Sequence, residues 1–186
     1  VGGNNNLTID SVHVYSNNTN NAVNGGGIYM NGPVSTVLIN NVDSQLNKAR
    51  GIVIWNGFKQ NITITNNYVK SNNCCGIELQ DGTASGVTVT GNTVISNSDS
   101  GMAFLGLTSG SGPNVIKNNT ITNNGRFGIE IKMPNGTGAA TGDGSIVIEN
   151  NTISLSTPGA DLRDFAGISV IRRAYQPAFE YVDIPT

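Results

Sequence analysis

The chain has 186 residues, of which only 12% are charged, and a formal net charge of -2 at pH 7. A chain of this length makes one domain with a continuous core. The charge balance excludes a nucleic-acid binder, which would carry a basic stripe, and no apolar run approaches the roughly 18 residues of a membrane-spanning helix.

Short β-branched segments follow one another from the start of the chain. In order they are Leu7-Thr8-Ile9, Gly27-Ile28-Tyr29-Met30, Val37-Leu38-Ile39, Gly51-Ile52-Val53-Ile54, Ile62-Thr63-Ile64 and Gly76-Ile77-Glu78-Leu79. Val87-Thr88-Val89, Gly101-Met102-Ala103-Phe104, Asn114-Val115-Ile116, Gly128-Ile129-Glu130-Ile131, Ile146-Val147-Ile148 and Gly167-Ile168-Ser169-Val170 continue the series. Their period-2 alternation predicts strands, and no stretch shows the spacing of an amphipathic helix. The chain is therefore expected to be all-β.

The glycines that open alternate segments are 24, 25, 25, 27 and 39 residues apart. A period of this length signals stacked units, none of which buries its apolar face alone. Asparagine recurs in phase, at Asn17, Asn47, Asn72, Asn97 and Asn124, with Ser156 in the sixth unit. A second, partial row at the corner reads Asn67, Asn92, Asn119 and Asn151. Identical amides one unit apart can hydrogen-bond along a stack, and asparagine tolerates the left-handed conformation of sharp corners. Repetition of this kind predicts a parallel β-helix of about six coils, each rising by roughly 4.8 Å. Ile28, Ile52, Ile77, Met102, Ile129 and Ile168 are expected inside it. Residues 1–186 are read as one such domain cut from a longer, exported chain, with 172–186 an atypical tail or cap. Segments 133–145 and 156–166 interrupt the period as insertions, the second carrying Asp161, Arg163 and Asp164.

Cys74 and Cys75 are adjacent, which makes a disulfide between them strained. They are expected to be free, half-buried thiols. With no other cysteine, and with the lone His13 in another coil, they are not expected to form a metal site. His13 is expected to be a structural or surface residue. A threonine column through Thr8, Thr63 and Thr88 is broken by Leu38 and Val147, so an ice-binding grid is excluded.

If the Ile28 row points inward, the next residue points outward. One exposed column is then Tyr29, Val53, Glu78, Ala103, Glu130 and Ser169, and a second is Asn31, Trp55, Gln80, Leu105, Lys132 and Ile171. Tyr29, Trp55, Glu78 and Gln80 suit a sugar-binding surface. Glu130, Lys132, Arg126 and Arg173 supply charge for catalysis. Glu78 and Glu130 are expected about 10 Å apart, two strand spacings, whereas inverting glycosidases need about 6.5 to 9.5 Å and retaining ones about 5 Å. Lyase chemistry suits the residues better. Lys132 could remove a proton beside a uronate carboxylate if neighbouring arginines lower its pKa, and Arg126 or Arg173 could hold the carboxylate. Glu78 or Glu130 with Asn31 or Gln80 could ligate Ca²⁺. Alone, Glu130 and Lys132 are expected to make a solvated ion pair.

Units such as Ile62-Thr63-Ile64-Thr65-Asn66-Asn67-Tyr68-Val69-Lys70-Ser71-Asn72-Asn73, followed by Gly76-Ile77, resemble right-handed parallel β-helix proteins of the pectate-lyase-like superfamily. Within it they are most similar to the generic repeat class that includes carbohydrate-binding and sugar-hydrolase domains. The resemblance implies a right-handed solenoid and leaves function open. Galacturonan hydrolases carry paired Asp residues, a His-Gly and an Arg-Ile-Lys, against which this chain sets only Glu130-Ile131-Lys132. It has neither the Asp-Pro-His of mannuronan epimerases nor the Arg-x-Pro-x-x-Arg of the main pectate lyases. The expected function is that of an exported β-helix binding or processing an acidic polysaccharide, extracellular, on the cell surface or periplasmic. The alternative is a non-catalytic structural or adhesive segment of a surface protein or phage fibre.

Overall fold

A computed structural model describes residues 4–17, 25–108, 110–135, 146–154, 165–174 and 181–182, with side chains at 6–17, 25–108, 110–132, 146–154 and 165–171. Among them there is no helix, and the strands form three parallel sheets running along one axis. The first sheet stacks Asn4–Asp10, Val34–Asn40, Lys59–Thr65, Ala84–Thr90, Asn114–Lys117 and Ile146–Glu149, with Leu107–Thr108 beside the fourth strand. The second stacks His13–Tyr15, Asp43–Gln45, Tyr68–Lys70, Thr93–Ile95, Thr120–Thr122 and Thr152–Ser154. The third stacks Gly26–Asn31, Arg50–Trp55, Ile77–Gln80, Met102–Leu105, Phe127–Asn135 and Ala166–Ala174. The chain visits the three in turn and then repeats, which is a parallel β-helix.

The interior is the expected one. Ile52, Ile77, Met102 and Ile129 follow in register and are fully buried, as are Ile54, Leu79 and Phe104 two residues on. Each such side chain contributes about 1.5–3 kcal/mol on leaving water. In the strand Ala166–Ala174, Ile168 and Val170 continue these rows but are 49% exposed.

Both asparagine rows run inside the coil. Asn47, Asn72 and Asn97 each donate from Nδ2 to the Oδ1 of the next asparagine, at 2.8, 2.9 and 2.9 Å, ending on Asn124. The same oxygens accept the backbone N–H groups of Asn47, Asn72 and Asn97. The corner row is built alike through Asn67, Asn92, Asn119 and Asn151. The amide oxygen thus replaces the carbonyl that a corner lacks, satisfying buried donors that would otherwise cost about 1–3 kcal/mol each.

The sharp bend lies one residue earlier than the corner row. Asn41, Asn66, Asn118 and Asn150 have φ between 49° and 55°, while the ladder asparagines after them do not appear in the left-handed region. Two asparagine roles are therefore adjacent: one bends the backbone, and its neighbour bonds along the axis. The glycine of Gly-Ile-x-Ile answers to the other row, that of Asn47, Asn72, Asn97 and Asn124. A Cβ on Gly76 would sit 2.5 Å from Val94 Cγ1, 2.7 Å from the Gly101 carbonyl oxygen and 2.8 Å from Asn97 Nδ2. Only glycine lets the third sheet approach the ladder so closely.

The strand Phe127–Asn135 carries 133–135 into the segment read as an insertion, and Ala166–Ala174 carries 172–174 into the segment read as the tail. Met133 pairs with Arg172, Pro134 with Arg173 and Asn135 with Ala174. Tyr181–Val182 then pairs antiparallel with Arg172 and Arg173. Residues 136–145 and 156–164, with Asp161, Arg163 and Asp164, lie outside the described residues.

Candidate functional site

Among the described residues, the outward side of the third sheet holds the densest group of buried charges. Register places Val53, Glu78, Ala103, Glu130 and Ser169 in one column, as the alternation requires. The column is not the exposed face expected from sequence. Val53 and Ala103 are wholly buried, and Glu78 and Glu130 are 3% and 1% exposed. Only Tyr29, at 39%, is open to solvent. Period-2 alternation separates the two sides of a sheet but carries no information on what covers the outer one.

Four charged residues converge there. Arg50 donates from Nε to Glu78 Oε2. Lys132 Nζ lies 3.5 Å from Glu78 Oε1 and 3.5 Å from Glu130 Oε2, and the Ser100 hydroxyl donates to that second oxygen at 2.9 Å. Glu130 Oε1 is buried without a hydrogen-bond partner. Burial works against the Arg50 guanidinium, but the Glu78 carboxylate, together with the Cys74 and Cys75 sulfurs, leaves its pKa above the ordinary value. The Arg50 guanidinium also stacks 4.5 Å over the half-buried Trp55 ring.

Several expectations change with this geometry. Glu78 and Glu130 do lie two coils apart, but both side chains lean toward the ammonium of Lys132. Their nearest oxygens are therefore no farther apart than twice the 3.5 Å contact. Strand spacing alone overestimated the gap, because it ignored the reach of three long side chains. The Glu130–Lys132 pair is buried rather than solvated, with side chains 2% and 5% exposed. Two carboxylates flank Lys132, where arginines were expected. Arg126 lies over the ring of its neighbour Phe127 at 4.7 Å. Arg173 contributes backbone pairing, and its side chain lies outside the described residues. The donor set does not fit Ca²⁺: both oxygens of Glu78 already face cations, and a divalent ion beside Arg50 and Lys132 would be repelled.

Tyr29, Asn31, Trp55 and Gln80 form the accessible margin of the cluster. Asn31 pairs with Trp55 and Trp55 with Gln80 across adjacent strands, and the Asn56 amide donates to Asn31 Oδ1 at 2.9 Å. His13 is elsewhere, on the second sheet, as expected. Its Nδ1 is 3.5 Å from Asp43 at the edge of a shallow cavity of about 300 Å³ shared with Tyr68. Burial opposes the Asp43 charge, but hydrogen bonds from Tyr15, Gln45 and His13 hold its pKa below the ordinary value.

Residues 1–110 match the family described as the right-handed β-helix region. The chain belongs to that family. Its fold is also that of a solved structure, the periplasmic alginate epimerase AlgG, with a TM-score of 0.57 and 19% identity. The match covers 91% of this chain and 39% of that one, so the chain spans well under half the length of AlgG. No curated protein matches the sequence significantly. At this identity the likeness is one of fold, in keeping with the absence of Asp-Pro-His here.

Within this right-handed β-helix, sequence reasoning missed Arg50, Ser100 and Lys59. Arg50 immediately precedes a repeat glycine, a place that no alternation rule singles out. Lys59 carried a readable signal: it is in register with Val34 and Ala84, two inward residues. It is fully buried, and its ammonium donates to the Gly57 and Asp81 carbonyl oxygens. Burial pushes its pKa down to about 8, with Asp81 acting in the opposite direction.

Proposed function

We propose that this chain is an exported β-helix that binds and processes an acidic polysaccharide at the Glu78–Lys132 cluster, by proton abstraction rather than hydrolysis. The observation that carries the reading is the buried group of Arg50, Glu78, Lys132, Glu130 and Ser100 outside the core. Removing charges from water costs several kcal/mol each, on the order of what pairing returns. A fold that already has two ladders and a continuous core gains little stability from such a group, so a chemical use is the better account.

Tyr29 and Trp55 offer rings for sugar faces, and Asn31 and Gln80 offer amides for hydroxyls. A uronate carboxylate drawn toward Arg50 and Lys132 would compete with Glu78 for both cations. Glu130, through its unpartnered Oε1, would then take the proton from the adjacent carbon, while Arg50 and Lys132 stabilise the developing negative charge. AlgG is a periplasmic alginate epimerase. Epimerisation and elimination begin with this same proton removal, so the likeness supports the class of step and, with its periplasmic setting, an exported location. Hydrolysis is disfavoured because the ammonium of Lys132 occupies the space between the carboxylates, where a glycosidic oxygen or water would have to enter.

A competing reading is a stiff, non-catalytic rod in a surface or fibre protein. The mutual pairing and burial of the charges favour it. Incubation with alginate and other polyuronates in deuterated water decides between them. Ultraviolet absorbance reports unsaturated products, and deuterium at the carbon beside the carboxylate reports reversible abstraction. Activity that falls by about 100-fold or more in Glu130→Gln and in Lys132→Ala supports the proposal. No absorbance, no exchange and no binding on any polyuronate would leave the rod.

A further inference from the structure

We propose that Cys74, Cys75 and Asp99 form a binding site for a thiolate-preferring divalent metal ion of the zinc class, with three protein ligands and one open position. This goes beyond the glycan reading and does not depend on it. The ligating atoms of the three residues all lie within 4.8 Å of one another. Sequence alone gave a bare cysteine pair, since the third donor comes from the next coil and is a carboxylate rather than a thiol or imidazole.

The site is held in place by the coils on either side. The Asp99 N–H donates to the Cys74 carbonyl at 3.3 Å, and the Gly51 N–H donates to the Cys75 carbonyl at 3.2 Å. Gly76, next in the chain, donates to the Ser100 carbonyl at 3.0 Å. Both cysteines are free, Cys75 buried and Cys74 half-buried, so solvent reaches the group from the Cys74 side. Zinc binds sulfur at about 2.3 Å and carboxylate oxygen at about 2.0–2.2 Å in a tetrahedron, so its ligands stand roughly 3.5 Å apart. The donors need only close by about an ångström to reach that spacing.

Charge and softness select the ion. Two sulfurs and one oxygen favour zinc-like ions over calcium or magnesium, which take oxygen donors. Two thiolates and a carboxylate would leave a single negative charge around a divalent ion. Each thiol that binds gives its proton to solvent, and coordination suffices to remove it.

The test uses the reduced, full-length chain without oxygen. Cobalt(II) serves as the spectroscopic probe, and zinc is titrated against a chromophoric chelator. A sulfur-to-cobalt charge-transfer band saturating at a single equivalent is expected. It should disappear in Cys75→Ser, and Asp99→Asn should retain the band with affinity weakened by at least about tenfold. Because Cys75→Ser could unfold, zinc should also slow alkylation of both thiols in the native wild type. Absence of the band, unprotected thiols or undiminished affinity in Asp99→Asn would each overturn the three-ligand site.

Discussion

The asparagine corner beside the second sheet and the outer face of the third sheet share one period and use it in opposite ways. At the corner, every step repeats the last: Asn47, Asn72 and Asn97 make the same two bonds to the next amide. On the outer face no step repeats, and the column runs Val53, Glu78, Ala103, Glu130, Ser169. Repetition arises where the backbone itself must be satisfied, because each coil presents the same unmet donors. Irregularity is tolerated where side chains meet only one another. In a solenoid, a position that departs from its column is therefore the place to look for chemistry.

The sharpest way to break this contrast is to remove one rung. Asn97→Ala deprives the Asn72 backbone N–H and side-chain amide of their acceptor, and the Val69 carbonyl and Asn124 amide of a donor. A loss of about 4 kcal/mol is expected, read from the denaturant midpoint. A loss below about 1 kcal/mol would mean that the ladder is decorative.

Lys59 offers a second, pH-dependent test, since it breaks its own inward column. The folded chain sheds the Lys59 proton near pH 8, and the unfolded chain keeps it to about the ordinary 10.5. Between these values the unfolded state holds more protons, so the Lys59 contribution to stability rises with pH, by roughly 3 kcal/mol across the window. Lys59→Met should remove that rise, as measured by denaturation at several pH values against the wild type. The smallest effect belongs to a regular surface position. Lys117 and Glu149, 3.9 Å apart and about half exposed, make a pair whose loss in Lys117→Ala should cost under about 0.5 kcal/mol in the same assay.

The scaffold was legible in the sequence because its demands are periodic. Gly76 and Asn97 recur one coil apart for a reason that steric contact and hydrogen bonding make explicit. The columns containing Glu78, Glu130 and Lys132 were legible too, since strand alternation fixes which residues share a side. Their convergence was not. It depends on side-chain reach across coils, as when Lys132 meets Glu78 two strands away, and on Arg50 entering from beside a glycine. Asp99 escaped for a similar reason, because its place above Cys74 is set by loop stacking rather than by strand register.

In both rows the amide-to-amide bonds run one way, each Nδ2 up to Asn97 and Asn119 donating to the Oδ1 of the following coil. Their dipoles add, and each bond polarises the next. The solenoid thus has an electrical direction, with a donor-rich pole at its later coils and an acceptor-rich pole at its earlier ones. Any further coil or second solenoid stacked on its axis meets complementary amides only head to tail, so the ladders dictate polarity of assembly as well as the pitch of the coil.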